Sequence, residues 1–390
     1  MLSPKVRDIA TPASIATAAK AKEMLLEGID VIDLSIGQPD FSPPIDASSV
    51  AQISGRQTSH AYSGAAGIAS LRQELAGYLQ EKHILKIVDE EIVITPGAKL
   101  GLYYLLSVLL EDGDSVVIPE PSWLSYSELV NWVGGRPICV DGEESNSFLV
   151  DPEDIIDALQ VDTRVVILNS PVNPTGVVWP VEAIRYLYAE LKKRRTFLIL
   201  DAIYDDFVFG SQVFKMSDIS SQGVPENFAY IHGFSKVYSM AGHRLGYICA
   251  QPTVVSAVAK VQSQLMTCPS SFSQYMALEI LQNRNQVDLT YLDKYEVRSL
   301  RVQELLIDSD IGFIRPDATF YIMVKIDFIS PSSVAAAKII LEECLVAVVP
   351  GVAYGKSAEG YVRLSLVQPL ERIEAAVERI CDLKTRIRIS

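Results

Sequence analysis

The segment GFSKVYSMAGHRLG, residues 233–246, sets one lysine, Lys236, and one arginine, Arg244, among small and hydroxylic residues. A lysine amine condenses with an aldehyde to a Schiff base, and an arginine fork suits a phosphate dianion. An aldehyde that carries a phosphate is pyridoxal 5′-phosphate. Most lysines are surface amines. This one follows an apolar strand candidate, Phe228–His232, in a stretch with little other charge.

That cofactor needs further protein groups, and the chain offers a candidate for each. Asp201 ends the run FLILD and suits a protonated pyridine nitrogen, which makes the ring an electron sink. Alone it is equally a helix cap. Tyr204 and Asn173, the latter in NSPVNPTG, can hydrogen-bond the ring's phenolic oxygen. Separately they read as a buried tyrosine and as turn chemistry. Trp123 in EPSWLSY offers a flat face to the ring, or simply a core aromatic. Gly97-Ala98-Lys99 opens a helix candidate whose free N–H groups suit a phosphate, with Arg244 adding charge.

The elements that must position these residues alternate between strand and helix. Strand candidates are Glu91–Thr95, Ser115–Ile118, Arg136–Val140, Arg164–Leu168, Phe197–Leu200, Phe228–His232 and Leu245–Ala250. Helix candidates are Ala98–Leu110, Trp123–Val133, Val181–Arg194 and Val254–Gln264. Apolar runs such as VVILN suit strands buried on both faces, and the alternation predicts an α/β sandwich with a largely parallel sheet. Asn169, Asp201 and Ser235–Lys236 fall at C-terminal strand ends, the edge where such sheets bind ligands. From about Tyr291 the pattern becomes a charged helix (Asp293–Leu306), FYIMVKI, helix Ser332–Leu341, LVAVVP, YVRLSL and an amphipathic helix from Glu371. This predicts a smaller α+β domain, packed on by a helix near Ile15–Glu27.

Taken together, IGQPDF, AYSGAAGIASLR, TPGAK, EPSWLSY, NSPVNPTG, DAIYDDF, GFSKVYSMAGHRLG and GYVRLSL resemble the fold-type-I enzymes that use pyridoxal phosphate. Within these, the chain is similar to the class I aminotransferases of the aspartate aminotransferase family. The resemblance spans nearly the whole chain. It implies a three-layer α/β/α large domain with a mostly parallel seven-stranded sheet (residues 41–285). A small α+β domain would combine residues 1–40 with 286–390.

The resemblance also implies roles. Lys236 takes the place of the Schiff-base lysine and acid/base, Asp201 of the ring-nitrogen partner, Asn173 and Tyr204 of the phenolic-oxygen ligands. Trp123 takes the stacking position, Arg244 the phosphate position, and Ala98 and Lys99 present backbone amides. Tyr62 stands where the family sends a tyrosine to the neighbouring subunit's phosphate, which implies a homodimer with shared sites. Arg363, by itself a possible strand-surface residue, matches the arginine for the substrate α-carboxylate, with the Gly37 backbone and Asn173 beside it. Where some members place a phosphate-binding serine, this chain has Gly233; Ser235 is carried as a cofactor contact. Lys99 resembles a lysine that meets the distal carboxylate of acidic substrates in some relatives, with Ser14 near the same pocket.

The expected activity is amino transfer between an L-amino acid and a 2-oxo acid, through the Lys236 Schiff base and a pyridoxamine phosphate form. The alternative is a lyase (β-eliminating or cyclopropane-forming) on the same fold, which the cofactor equally supports. A cofactor-sensing module of a transcription regulator would need a basic helix-turn-helix, and none precedes the first motif. A dehydrogenase would need G-x-G-x-x-G after the first strand of the core. A net charge of −14 argues against nucleic acid as partner. The five scattered cysteines read as reduced, mainly core thiols of a cytoplasmic protein, and the four isolated histidines give no zinc spacing. No run is apolar and long enough to span a bilayer.

Overall fold

The computed structural model describes residues 13–210 and 212–389, with side chains from 19 to 387 apart from 211. The strands in chain order are β1 (Ile32–Asp33), β2 (Ile92–Thr95), β3 (Ser115–Glu120), β4 (Arg136–Asp141), β5 (Thr163–Asn169), β6 (Phe197–Asp201) and β7 (Phe228–Gly233). They continue with β8 (Gly246–Ala250), β9 (Phe313–Ile314), β10 (Tyr321–Lys325), β11 (Val346–Ala347), β12 (Val349–Pro350) and β13 (Tyr361–Ser365).

A seven-stranded sheet of order β2-β8-β7-β6-β5-β3-β4 forms the main body. Its strands run parallel except β8, which is antiparallel to both β2 and β7. Alternation along each strand separates two apolar layers. Leu198 and Leu200 face one with helices Ala69–His83, Val181–Arg194 and Ser271–Gln282; Phe197 and Ile199 face the other with helices Ala98–Leu109 and Pro252–Leu265. The sheet is thus covered on both sides, which is why its strands read as unbroken apolar runs.

The seven main strands and the helix Val181–Arg194 fall where the sequence places them, within a residue or two at their ends. Helices of the main body that the sequence pattern does not predict include Ala69–His83 and Ser271–Gln282, besides the shorter Ala47–Gly55 and Pro152–Asp157. The first buries Leu71, Leu75 and Leu79, a four-residue spacing obscured by Gly77 and by the surrounding polar residues.

The second body is an antiparallel sheet of order β12-β13-β10-β9, with β1 and β11 paired in parallel beside it. Its core joins Ile32, Leu34, Val302, Ile340, Val362 and Leu383 from both ends of the chain. The run LVAVVP is two short strands, because Val346–Ala347 pairs with β1 while Val349–Pro350 pairs with β13. Helix Tyr291–Asp308 links the bodies: Tyr291 and Tyr295 pack in the large core, Val302 and Leu306 in the small one.

Candidate active site

Three neighbouring parallel strands end at one edge, and each ends in a polar group. Asn169 closes β5 opposite Asp201, which closes β6, and β7 leads through Gly233 into the loop that carries Lys236. Asn169 braces this edge: its Nδ2 donates to the Asp201 backbone oxygen at 2.9 Å, and its Oδ1 accepts from Asn173 N–H at 2.7 Å. A cleft of about 820 Å³ opens there, with Gly37, Ala98, Lys99, Trp123, Asn173, Asp201, Tyr204, Ser235, Lys236, Arg244 and Arg363 on its walls. Residues remote in sequence thus converge at one place.

Asp201 is 6 % exposed. Its Oδ2 accepts from Tyr126 Oη at 2.8 Å and its Oδ1 from Ile203 N–H at 3.2 Å. Burial raises its carboxyl above the usual range, against the pull of those bonds and of nearby His232 and Lys236. A cation brought into the cleft would offset that cost. Lys236 is the converse case. Burial lowers its amine, and Arg363 and Arg244 lower it further, against Tyr321 and Asp201. Its Nζ donates to the Gly37 carbonyl oxygen.

At another wall, helix Ala98–Leu109 opens at Gly97 with no side-chain cap, leaving first-turn N–H groups without helical partners. Gly97 has φ +86°, and a Cβ there would fall 2.6 Å from the Arg244 guanidinium. Only glycine lets that guanidinium lie against the helix start. The arrangement is a cationic, N–H-rich cradle of the kind that holds phosphate. Lys99 Nζ sits 4.6 Å from the Trp123 ring centroid; burial, then the Arg244 charge, lowers its amine.

From the small body, Arg363 Nη1 donates to Asn173 Oδ1 at 3.1 Å and Nη2 to the Ser35 carbonyl at 2.8 Å, while its buried Nε has no protein partner. The guanidinium is fixed in place yet keeps donor capacity for a carboxylate. Tyr62 is not on the cleft wall and is 86 % exposed. Ser14 has its side chain outside the described residues.

Several residues on or behind the walls escaped the sequence reading. Tyr126 lies three residues past Trp123, in the first turn of the short helix Ser125–Trp132, and its bond to Asp201 is what singles it out. Tyr321 and Lys22 also line the cleft. Behind Tyr204, Asp205 and Asp206 face Lys82 Nζ at 2.7 and 3.0 Å and His232 Nε2 at 2.9 and 3.1 Å. These two carboxylates and the imidazole could together hold a metal ion, but the Lys82 ammonium already sits against both carboxylates. Their spacing in sequence gives no hint of this cluster. The pairing of β6 with β7 brings His232 to the two carboxylates, and the packing of helix Ala69–His83 on the sheet brings Lys82.

The chain is similar to known proteins over nearly its whole length. The family model described as aminotransferase class I and II matches residues 29–380. The chain is 32% identical to the aspartate/prephenate aminotransferase of Thermus thermophilus, with 99% of each chain covered. It is 34% identical to the aspartate aminotransferase of Thermotoga maritima, covering 98% of this chain and 99% of that one. The solved Thermus thermophilus aspartate aminotransferase with maleate superposes with a TM-score of 0.92 at 32% identity, over 98% of this chain and 99% of that chain.

Proposed function

The chain belongs to the class I and II aminotransferases, enzymes that move an amino group between an amino acid and a 2-oxo acid, and from that premise we propose which residues do the work and on which substrate. The cleft fits pyridoxal phosphate: a buried carboxylate for a ring cation, a half-buried amine of lowered basicity for an aldehyde, a glycine-opened cradle for a phosphate. Lys236 would hold the aldehyde, Asp201 the ring nitrogen, Asn173 and Tyr204 the phenolic oxygen, and Trp123 the ring face. Arg244, Ser235 and the Ala98 and Lys99 amides would hold the phosphate. When bound, the cofactor takes up the amino group and accepts the electron pair left as the donor's Cα–H bond breaks.

The chain's own groups do the rest. Arg363 anchors the α-carboxylate with the donor capacity that Asn173 and Ser35 leave free, beside the Gly37 backbone. This fixes the Cα–H bond relative to Lys236. Burial lowers the Lys236 amine and so favours its unprotonated form, the form in which Nζ can take the Cα proton and return it one position away.

We infer a dicarboxylic donor, with L-aspartate first. Lys99 and Lys22 both line the cleft, and among the described residues neither is in an ion pair. Two ammonium groups without a carboxylate partner suit a substrate's second carboxylate, and the relatives' names point the same way. The cleft is completed in a homodimer, where the exposed Tyr62 reaches the partner's phosphate site. The free thiols fit a reducing cytoplasm.

The observation that carries this reading is Lys236, half-buried and with lowered basicity, in the same cleft as Asp201, Arg244 and Arg363. The test adds L-aspartate, L-alanine or L-phenylalanine to the purified holoprotein without any acceptor. Aspartate should discharge the yellow cofactor band and release one oxo acid per site, faster than the other two. Release of pyruvate from a β-substituted donor with the band intact would favour a lyase. Equal rates for all three donors would remove the dicarboxylate assignment.

A further inference from the structure

Tyr321 joins two parts of the cleft that come from different bodies of the protein. It lies on β10, where it pairs with Ser365 of β13 while Met323 pairs with Arg363. Tyr321 and Arg363 are therefore diagonal neighbours on one sheet face, within reach for long side chains. The Arg363 guanidinium sits 4.1 Å from the Tyr321 ring centroid, a close cation–π contact at a site where both residues are buried. The other end of the side chain leaves the small body. Its hydroxyl is 3.0 Å from that of Tyr204. It also presses on the backbone at Gly37, where an added Cβ would lie 2.1 Å away, and the Gly37 carbonyl holds Lys236 Nζ.

We propose that Tyr321 is a positioning residue with two separable tasks: its ring seats Arg363, and its hydroxyl, by donating to Tyr204, strengthens the bond that Tyr204 gives the cofactor's phenolic oxygen. This rests on the reading of Tyr204 and Arg363 given above. Both hydroxyls of the pair are buried, and each has one obvious partner. A Tyr204 oxygen that accepts from Tyr321 is a better donor in its turn, which favours the ionised phenolic oxygen of the cofactor.

The experiment titrates the cofactor's visible band against pH in the substrate-free holoprotein. Tyr321→Phe keeps the ring and loses the hydroxyl, so the midpoint should move up by about half a unit or more, with the donor's KM within about twofold of wild type. Tyr321→Gln keeps a polar donor and loses the ring, so it should shift the midpoint less and raise that KM about tenfold. In a Tyr204→Phe background the effect of Tyr321→Phe on the midpoint should vanish, since the two act through one bond. An unmoved midpoint in Tyr321→Phe, or a shift that adds in full to that of Tyr204→Phe, overturns the proposal while leaving the function intact. A wild-type chain that takes up no pyridoxal phosphate overturns the functional reading and this proposal with it.

Discussion

Tyr126 Oη donates to Asp201 Oδ2 at 2.8 Å with both groups buried. Burial raises the carboxyl of Asp201, and this bond is the largest of the influences that lower it again. Tyr126 therefore helps to keep charged the group assigned to the ring nitrogen.

Replacing Tyr126 by Phe should cut kcat/KM about ten- to a hundredfold. A hydrogen bond to a charged group contributes about 1.5–3 kcal/mol, and 1.4 kcal/mol is a factor of ten. Loss of that donor raises the carboxyl further, so the acid limb of the pH–rate profile should move to higher pH. A profile and rate matching wild type would show that Asp201 does not depend on Tyr126.

Arg363→Lys keeps the charge but loses the planar fork that Asn173 Oδ1 and Ser35 O hold in place. Bidentate recognition of a carboxylate does not survive that change. The amino donor's KM should rise about tenfold or more in steady-state kinetics, while cofactor content stays unchanged. A KM within twofold of wild type would mean the α-carboxylate binds elsewhere.

The seven main strands are legible in the sequence because they are buried on both faces and carry no competing pattern. Most of the groups that meet in the cleft are legible too, since Lys236, Asp201 and Asn173 each sit in short segments of distinctive chemistry. Tyr126, Tyr321 and the Lys82–His232 cluster are not. Their significance comes from partners dozens to hundreds of residues away, and a tyrosine or histidine inside an apolar run looks like any core residue. Ala69–His83 is illegible for another reason: its buried leucines are diluted by Gly77 and by polar neighbours on the outer face.

The buried cluster behind Tyr204 should govern stability in a pH-dependent way. Burial penalises the charged form of Asp205, but Lys82 and His232 outweigh it and lower the carboxyl. Its contribution is therefore present above the ordinary carboxylate value of about 3.9 and fades as pH falls through the depressed one. Burial likewise opposes the charge on His232, yet Asp205 and Asp206 raise its imidazole. That contribution is complete below about pH 6.5 and is lost as pH climbs through the raised value. Asp205→Asn should cost about 3–5 kcal/mol near pH 6. The gap in Tm between wild type and His232→Gln should be widest near pH 6 and narrow as pH rises. A gap that widens with pH would contradict the assignment of charge to His232.

Tyr62, exposed in the single chain, is assigned to the partner's site. Sedimentation equilibrium should give about twice the chain mass of 42.9 kDa, and Tyr62→Phe should weaken retention of pyridoxal phosphate about tenfold, as expected for one hydrogen bond to a phosphate. A monomer that is fully active would remove the shared site.

Reduction of the holoprotein with borohydride, followed by peptide mapping, addresses the lysine assignment directly. A pyridoxyl group recovered on Lys236 in near-stoichiometric amount, and absent from Lys236→Ala protein that has also lost turnover, is the expected result. A label found on Lys99, Lys22 or any other amine, with Lys236 unmodified, would contradict it.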